Sequence, residues 1–131
     1  MNVKELISKA LEAREKAYVP YSDFKVGAAL LSKSGNIYTG CNIESASYTP
    51  TICAERTAIS KAVSEGDREI EAIAVVGNPQ DYTYPCGVCR QVIREFGKDA
   101  TLIIAKNEEE YKVYKLEELL PFSFGPEDLD K

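Results

Sequence analysis

The stretch "PCGVC" places Cys86 and Cys89 three residues apart, and "CAE" at 53–55 places a thiol, Cys53, two residues ahead of a carboxylate, Glu55. The chain contains no histidine. Any transition-metal site must therefore be built from cysteine and carboxylate, and Ser/His/Asp and Cys/His triads are excluded. Both segments read as the openings of helices. Residues three apart on a helix share a face, so Cys86 and Cys89 aim at one point. The positive end of the helix dipole favours the thiolate that metals require. Cys53 occupies the same kind of position on another helix, so three thiolates can converge from two helix ends, and zinc suits tetrahedral sulfur ligation. A CxxC taken alone fits a thioredoxin-like dithiol or two buried apolar residues equally well.

The count of ligands separates a structural site from a catalytic one. A structural zinc is closed by four ligands, whereas a catalytic one has three and an open position for water. Cys41, the fourth cysteine, lies in a strand-like run and should point away from the face of Asn42 and Glu44. If it is not a ligand, the centre is open and Glu55 is placed to do proton work beside it. By itself Glu55 is equally a first-turn acid complementing the helix dipole. Three thiolates leave a divalent centre negative, so a cation should stand near. Arg56 and Arg90 each follow a motif residue and either could donate to the sulfurs, though both also fit a solvated helix face.

The elements that must carry these residues follow from periodicity. Apolar residues at spacings of three and four predict a helix over Lys4–Ala17, ended by "YVPYSDF", where Pro20 cannot continue it. "FKVGAALLSKSGNIYTGCNIE" reads as two strands around a "KSGN" turn, and 45–52 as a loop. A helix over 53–64 stops near Gly66, and "IEAIAVVG" is a buried strand. After the loop "NPQDYTYP" come a helix over 87–96 closed by Gly97, the strand "ATLIIAK", the turn "NEEE", the strand "YKVYKL" and a short helix over 116–120. Helices interleaved with strands favour a three-layer α/β/α sandwich with a central mixed five-stranded sheet. Both cysteine-bearing helices follow loops near strand ends, where such folds place ligands.

At 131 residues the chain suits one domain over 1–131, and 44% hydrophobic with 28% charged residues is ordinary for a globular protein. The net charge of −5, with scattered basic residues, disfavours a nucleic-acid partner. The N-terminus lacks the apolar run of a signal peptide or membrane span, so a cytoplasmic protein with no membrane partner is expected. In that reducing compartment four cysteines are ligands, catalytic groups or core rather than a disulfide framework.

Together "CAE" and "PCGVC" resemble the signature of zinc-dependent nucleobase deaminases. The all-cysteine form, with "YVPYSDFKVGAAL", "GCNIESASY", "CAERTAI", "PCGVCRQV" and "ELLPFSF", resembles the cytidine deaminase family nearly end to end. The resemblance implies hydrolysis of cytidine and 2′-deoxycytidine to uridine and 2′-deoxyuridine with release of ammonia, a step of pyrimidine salvage. It makes Cys53, Cys86 and Cys89 the ligands of one Zn2+ per chain and Glu55 the proton shuttle. It places Phe24 near the base, Asn42 and Glu44 on the ribose hydroxyl, the Ala54 N–H on the base carbonyl and the Tyr84 carbonyl by the amine. It also implies a homotetramer with shared sites, in which Ala46 and Tyr48 are lent across an interface and a C-terminal aromatic covers the base. Phe122 and Phe124 both fit that last role, with Phe124 favoured. The nearest rival is a relative acting on the antibiotic blasticidin S, against which "NIE" and "SASY" argue. A four-cysteine scaffold that uses Cys41 is the reading from a different class.

Overall fold

The structure, a computed structural model, describes residues 1–129; Asp130 and Lys131, the end of the 1–131 domain expected above, lie outside the described residues. Five strands form one sheet in the order β2-β1-β3-β4-β5. These are β1 (Gly27–Ser32), β2 (Ile37–Cys41), β3 (Ile70–Val76), β4 (Thr101–Ala105) and β5 (Tyr111–Lys115). Only β3 and β4 run parallel, joined through a helix as parallel neighbours must be. The sheet is thus mixed and α/β, as expected.

Alternation along the central strands sorts their side chains onto two faces. Ala29, Ala72, Ala74, Val76, Ile103 and Ala105 meet Leu6, Ile7 and Ala10 of α1 (Val3–Arg14). On the other face Ala28, Leu30, Ile73, Val75, Leu102 and Ile104 meet Ala58, Ile59 and Ala62 of α2 (Ala54–Ser64) and Ile93 of α3 (Gly87–Phe96). Burial on both faces explains why residues 72–76 of β3 and 102–105 of β4 read as unbroken apolar runs. A short α4 (Leu116–Leu119) follows β5 directly.

The first helix ends three residues before the predicted Ala17. Its last turn tightens into three-residue hydrogen bonds, Lys16 N–H to the Ala13 carbonyl at 3.0 Å and Ala17 N–H to Arg14 at 3.1 Å. Tyr18 must then be extended, because its N–H donates to the Asn42 carbonyl at 3.0 Å and it bridges Ile43. That contact spans the chain, so helical periodicity could not register it. β2 likewise stops at Cys41, one residue before Asn42.

The sheet also fixes where two loops emerge. Gly27 of β1 pairs with Cys41 at the end of β2 on one side and with Val76 at the end of β3 on the other. The segments after β2 and after β3 therefore leave the same end of the sheet, flanking β1, one returning as α2 and the other as α3. Gly40 lets α2 approach: a Cβ there would lie 2.5 Å from both the Ala54 carbonyl oxygen and the Ala58 nitrogen. Thr57 adds a tie by donating from its hydroxyl to the Cys41 carbonyl at 3.0 Å.

Gly40→Ala is expected to push α2 off β2 and lower stability by about 1–3 kcal/mol, as overpacking does. Thermal unfolding measures it, and an unchanged Tm would mean that α2 does not rest on β2 at this point.

Candidate active site

Cys53 is the N-cap residue of α2 and Cys86 that of α3, and neither side chain caps its own helix. A serine or aspartate there would fold back onto the first turn. Cysteine leaves the helix N–H groups and the sulfur turned outward together. Cys89, one turn into α3, is fully buried beneath them. The three sulfurs lie within 4.8 Å of one another, with Cys53 and Cys86 Sγ 4.0 Å apart. Four-coordinate zinc with bonds of about 2.3 Å needs sulfurs about 3.8 Å apart, so the group fits that ion with little adjustment. Cys41 does not join the group; its carbonyl is engaged by Thr57 instead.

The surroundings favour a thiolate at Cys53. The Cys53 thiol is held down to about 5, first by the Cys89 S–H that donates to it and then by the Arg56 guanidinium. Cys89, the donor and a buried group, is pushed well above the usual thiol range. Arg56 Nη2 donates to Cys53 Sγ at 3.5 Å, and contact with Cys53 raises its own pKa. Arg90 does other work: its Nε donates to the Pro85 carbonyl at 2.7 Å and its Nη1 to the Leu119 carbonyl at 2.9 Å. Of the two arginines left open by the sequence, Arg56 faces the thiolates and Arg90 ties the cysteine loop to α4.

Glu55 is 4% exposed, and burial, reinforced by the charge on Cys53, pushes its carboxyl up to about 7. It lines a cleft of about 230 Å³ with Phe24, Val26, Asn42, Cys53, Ala54, Thr83, Tyr84 and Cys86. Phe24, Asn42, Ala54 and Tyr84 thus meet the cysteines and Glu55 in one place. Asn42 is held by the backbone of residues 24–26: its Oδ1 accepts from Val26 N–H at 2.9 Å and its Nδ2 donates to the Phe24 carbonyl at 2.8 Å. Val26 and Thr83 are cleft residues that the sequence reading did not single out, although Val26 lies within "YVPYSDFKVGAAL". Thr83 could have been suspected only from its place just ahead of "YPC".

The remaining expected residues lie apart within this chain. Glu44 accepts from the N–H groups of Tyr21 at 3.0 Å and Ser22 at 3.1 Å and from the Ser22 hydroxyl, which keep its carboxyl below the usual range. It lines an adjoining pocket of about 370 Å³ with Tyr21, Ser22, Ser45, Tyr48 and Thr51. Tyr48 is exposed, at a left-handed φ of 62°, with its ring edge-on to Tyr21. Ala46 is exposed and lines neither cavity. Phe124 is 57% exposed, its carbonyl held by Gln91 Nε2 at 2.8 Å, and Phe122 is fully exposed; neither reaches the cleft.

Residues 1–105 match the family described as the cytidine and deoxycytidylate deaminase zinc-binding region. The cytidine deaminase of Sporosarcina psychrophila is 49% identical over 130 residues, covering 98% of this chain and 96% of that protein. That of Halalkalibacterium halodurans is 48% identical over 131 residues, covering 99% of each. Among solved structures, a cytidine deaminase from Burkholderia pseudomallei superposes with a TM-score of 0.88 at 46% identity, covering 95% of this chain and all of that one.

Arg56→Gln is expected to weaken zinc retention roughly 10- to 100-fold, as loss of a supporting partner does, while Cys41→Ser leaves it unchanged. Competition with a chromogenic chelator reads both. Loss of zinc from Cys41→Ser would put the fourth cysteine in the centre.

Proposed function

The chain belongs to the cytidine and deoxycytidylate deaminase family, with zinc as its cofactor, and we propose that it hydrolyses cytidine and 2′-deoxycytidine to uridine and 2′-deoxyuridine, releasing ammonia. The observation that carries the reading is the convergence of three cysteine sulfurs with a buried glutamate in one cleft. Cys53, Cys86 and Cys89 would hold the zinc, which supplies Lewis-acid activation of water at neutral pH.

The protein's own groups do the rest. Glu55 takes a proton from the attacking water, delivers it to N3 of the base as C4 is attacked, and then carries that water's second proton from the new C4 hydroxyl to the amine, which departs as ammonia. Burial keeps bulk water from that carboxylate. Phe24 packs against the base from the rim, the Ala54 N–H at the start of α2 binds the base carbonyl, and the Tyr84 carbonyl accepts from the amine. Asn42 Nδ2 keeps one N–H beyond that given to Phe24, and the Glu44 carboxylate keeps lone pairs beyond those that bind Tyr21 and Ser22. Together they would hold the ribose 3′-OH.

Ala46, Tyr48 and Phe124 complete the sites of neighbouring chains in a homotetramer. Their exposure supports this, as does an apolar groove of about 320 Å³ between α2 and α3, lined by Ile59, Val63, Val92 and Phe96. Residues 1–131 act as a single catalytic domain. No helix of the described residues is long and apolar enough to cross a membrane. Thiol ligands suit a reducing cytoplasm, where nucleoside salvage takes place.

Purified protein should deplete cytidine absorbance, and Glu55→Ala should lose at least 10²–10⁴-fold in kcat while keeping about one zinc per chain, as a three-thiolate centre requires. A zinc-loaded wild type that leaves cytidine untouched would overturn the nucleoside assignment.

A further inference from the structure

We infer that Tyr114, on the edge strand β5, is a positioning residue for the cleft: its phenol holds Tyr84 in place, and with it the wall that faces the amine of the base. The inference rests on the deaminase reading above and adds a residue that lies outside every motif that led to it.

Tyr84 lies 30 residues from Tyr114 in sequence, yet the two hydroxyl oxygens are 2.5 Å apart and the rings meet at a centroid distance of 5.7 Å, tilted by 60°. Two residues earlier, Lys106 Nζ at 4.7 Å and Lys112 Nζ at 4.6 Å each stand over the Tyr82 ring. Lys112 and Tyr114 alternate along β5 and so project to the same side of the sheet. β5 therefore grips the loop between β3 and α3 twice, once through cation–π contact and once through the paired phenols. One residue after Tyr84, Pro85 is fully buried and its carbonyl is held by Arg90.

These contacts bracket one peptide group. The Tyr84 carbonyl sits between a side chain anchored on β5 and a buried proline, whose ring restricts the backbone of the residue before it. Thr83 and Tyr84 line the cleft together with Asn42 and Phe24. An acceptor that must meet an amine gains from being fixed before substrate arrives, because misplacement of even about 1 Å weakens such positioning. Breaking the phenol pair loosens the wall without touching the zinc, Glu55 or the ribose contacts.

The test compares Tyr84→Phe, Tyr114→Phe and the double variant in the zinc-loaded enzyme, with cytidine and N4-methylcytidine as substrates. Each variant removes the same hydrogen bond. All three should therefore lose about the same factor in kcat/KM for cytidine, roughly three- to tenfold. The preference for cytidine over N4-methylcytidine should shrink in all three, since a loosened wall admits the extra methyl group. Zinc content should match wild type, and thermal unfolding checks that the fold is intact. A Tyr114→Phe enzyme equal to wild type, losses that add in the double variant, or an unchanged substrate preference would overturn the inference while leaving the deaminase reading in place. A wild type inactive on cytidine would overturn both.

Discussion

Three thiolates gathered on one ion would repel one another, and the architecture depends on holding their sulfurs within 4.8 Å all the same. Two helix N-termini make that possible. Each presents a cysteine at its cap position and the partial positive charge of its first turn to the same point. Arg56 adds a full charge on the α2 side, and burial of Cys89 and Glu55 lowers the local dielectric so that these attractions count. A metal ion entering this place meets ligands already gathered rather than ones that must be ordered at its expense.

The sheet has the task of aiming those two helices. Because Gly27 pairs with both Cys41 and Val76, the loops that lead to α2 and α3 start from the same end of the sheet, on either side of β1. Small residues set the spacing. Gly40 brings α2 against β2, and Ala54, Ala58 and Ala62 keep its inner face thin enough to lie close to the strands. The site is thus an outcome of strand register and residue size more than of any contact within the cleft.

Much of this was legible in the sequence because local pattern and global fold agree. The helices over 54–64 and 87–96, the hairpin around 33–36 and the buried strands all carry their own periodicity, and the cysteine spacing follows from helix geometry. What was hidden depends on partners distant in the chain. Nothing near Arg90 in the sequence reveals that it reaches the Leu119 carbonyl, a contact that only the fold creates and that separates its role from that of Arg56. Asn42 and Glu44 read as a strand pair sharing a face. In the fold they brace the backbone of 21–26 and line adjoining cavities, because β2 ends before them. Tyr114 gave no signal at all, being one aromatic residue on an alternating edge strand.

A ligand set made only of sulfur gives up one means of choosing among metals. Imidazole or carboxylate would bias a site toward harder ions, whereas thiolates also attract softer ones such as Cu(I), and the affinity order alone does not place zinc first. With no histidine in the chain, selection falls to the tetrahedral spacing of the sulfurs and to which metals the surroundings keep within reach. Correct metalation of this fold is therefore as much a property of its environment as of its sequence.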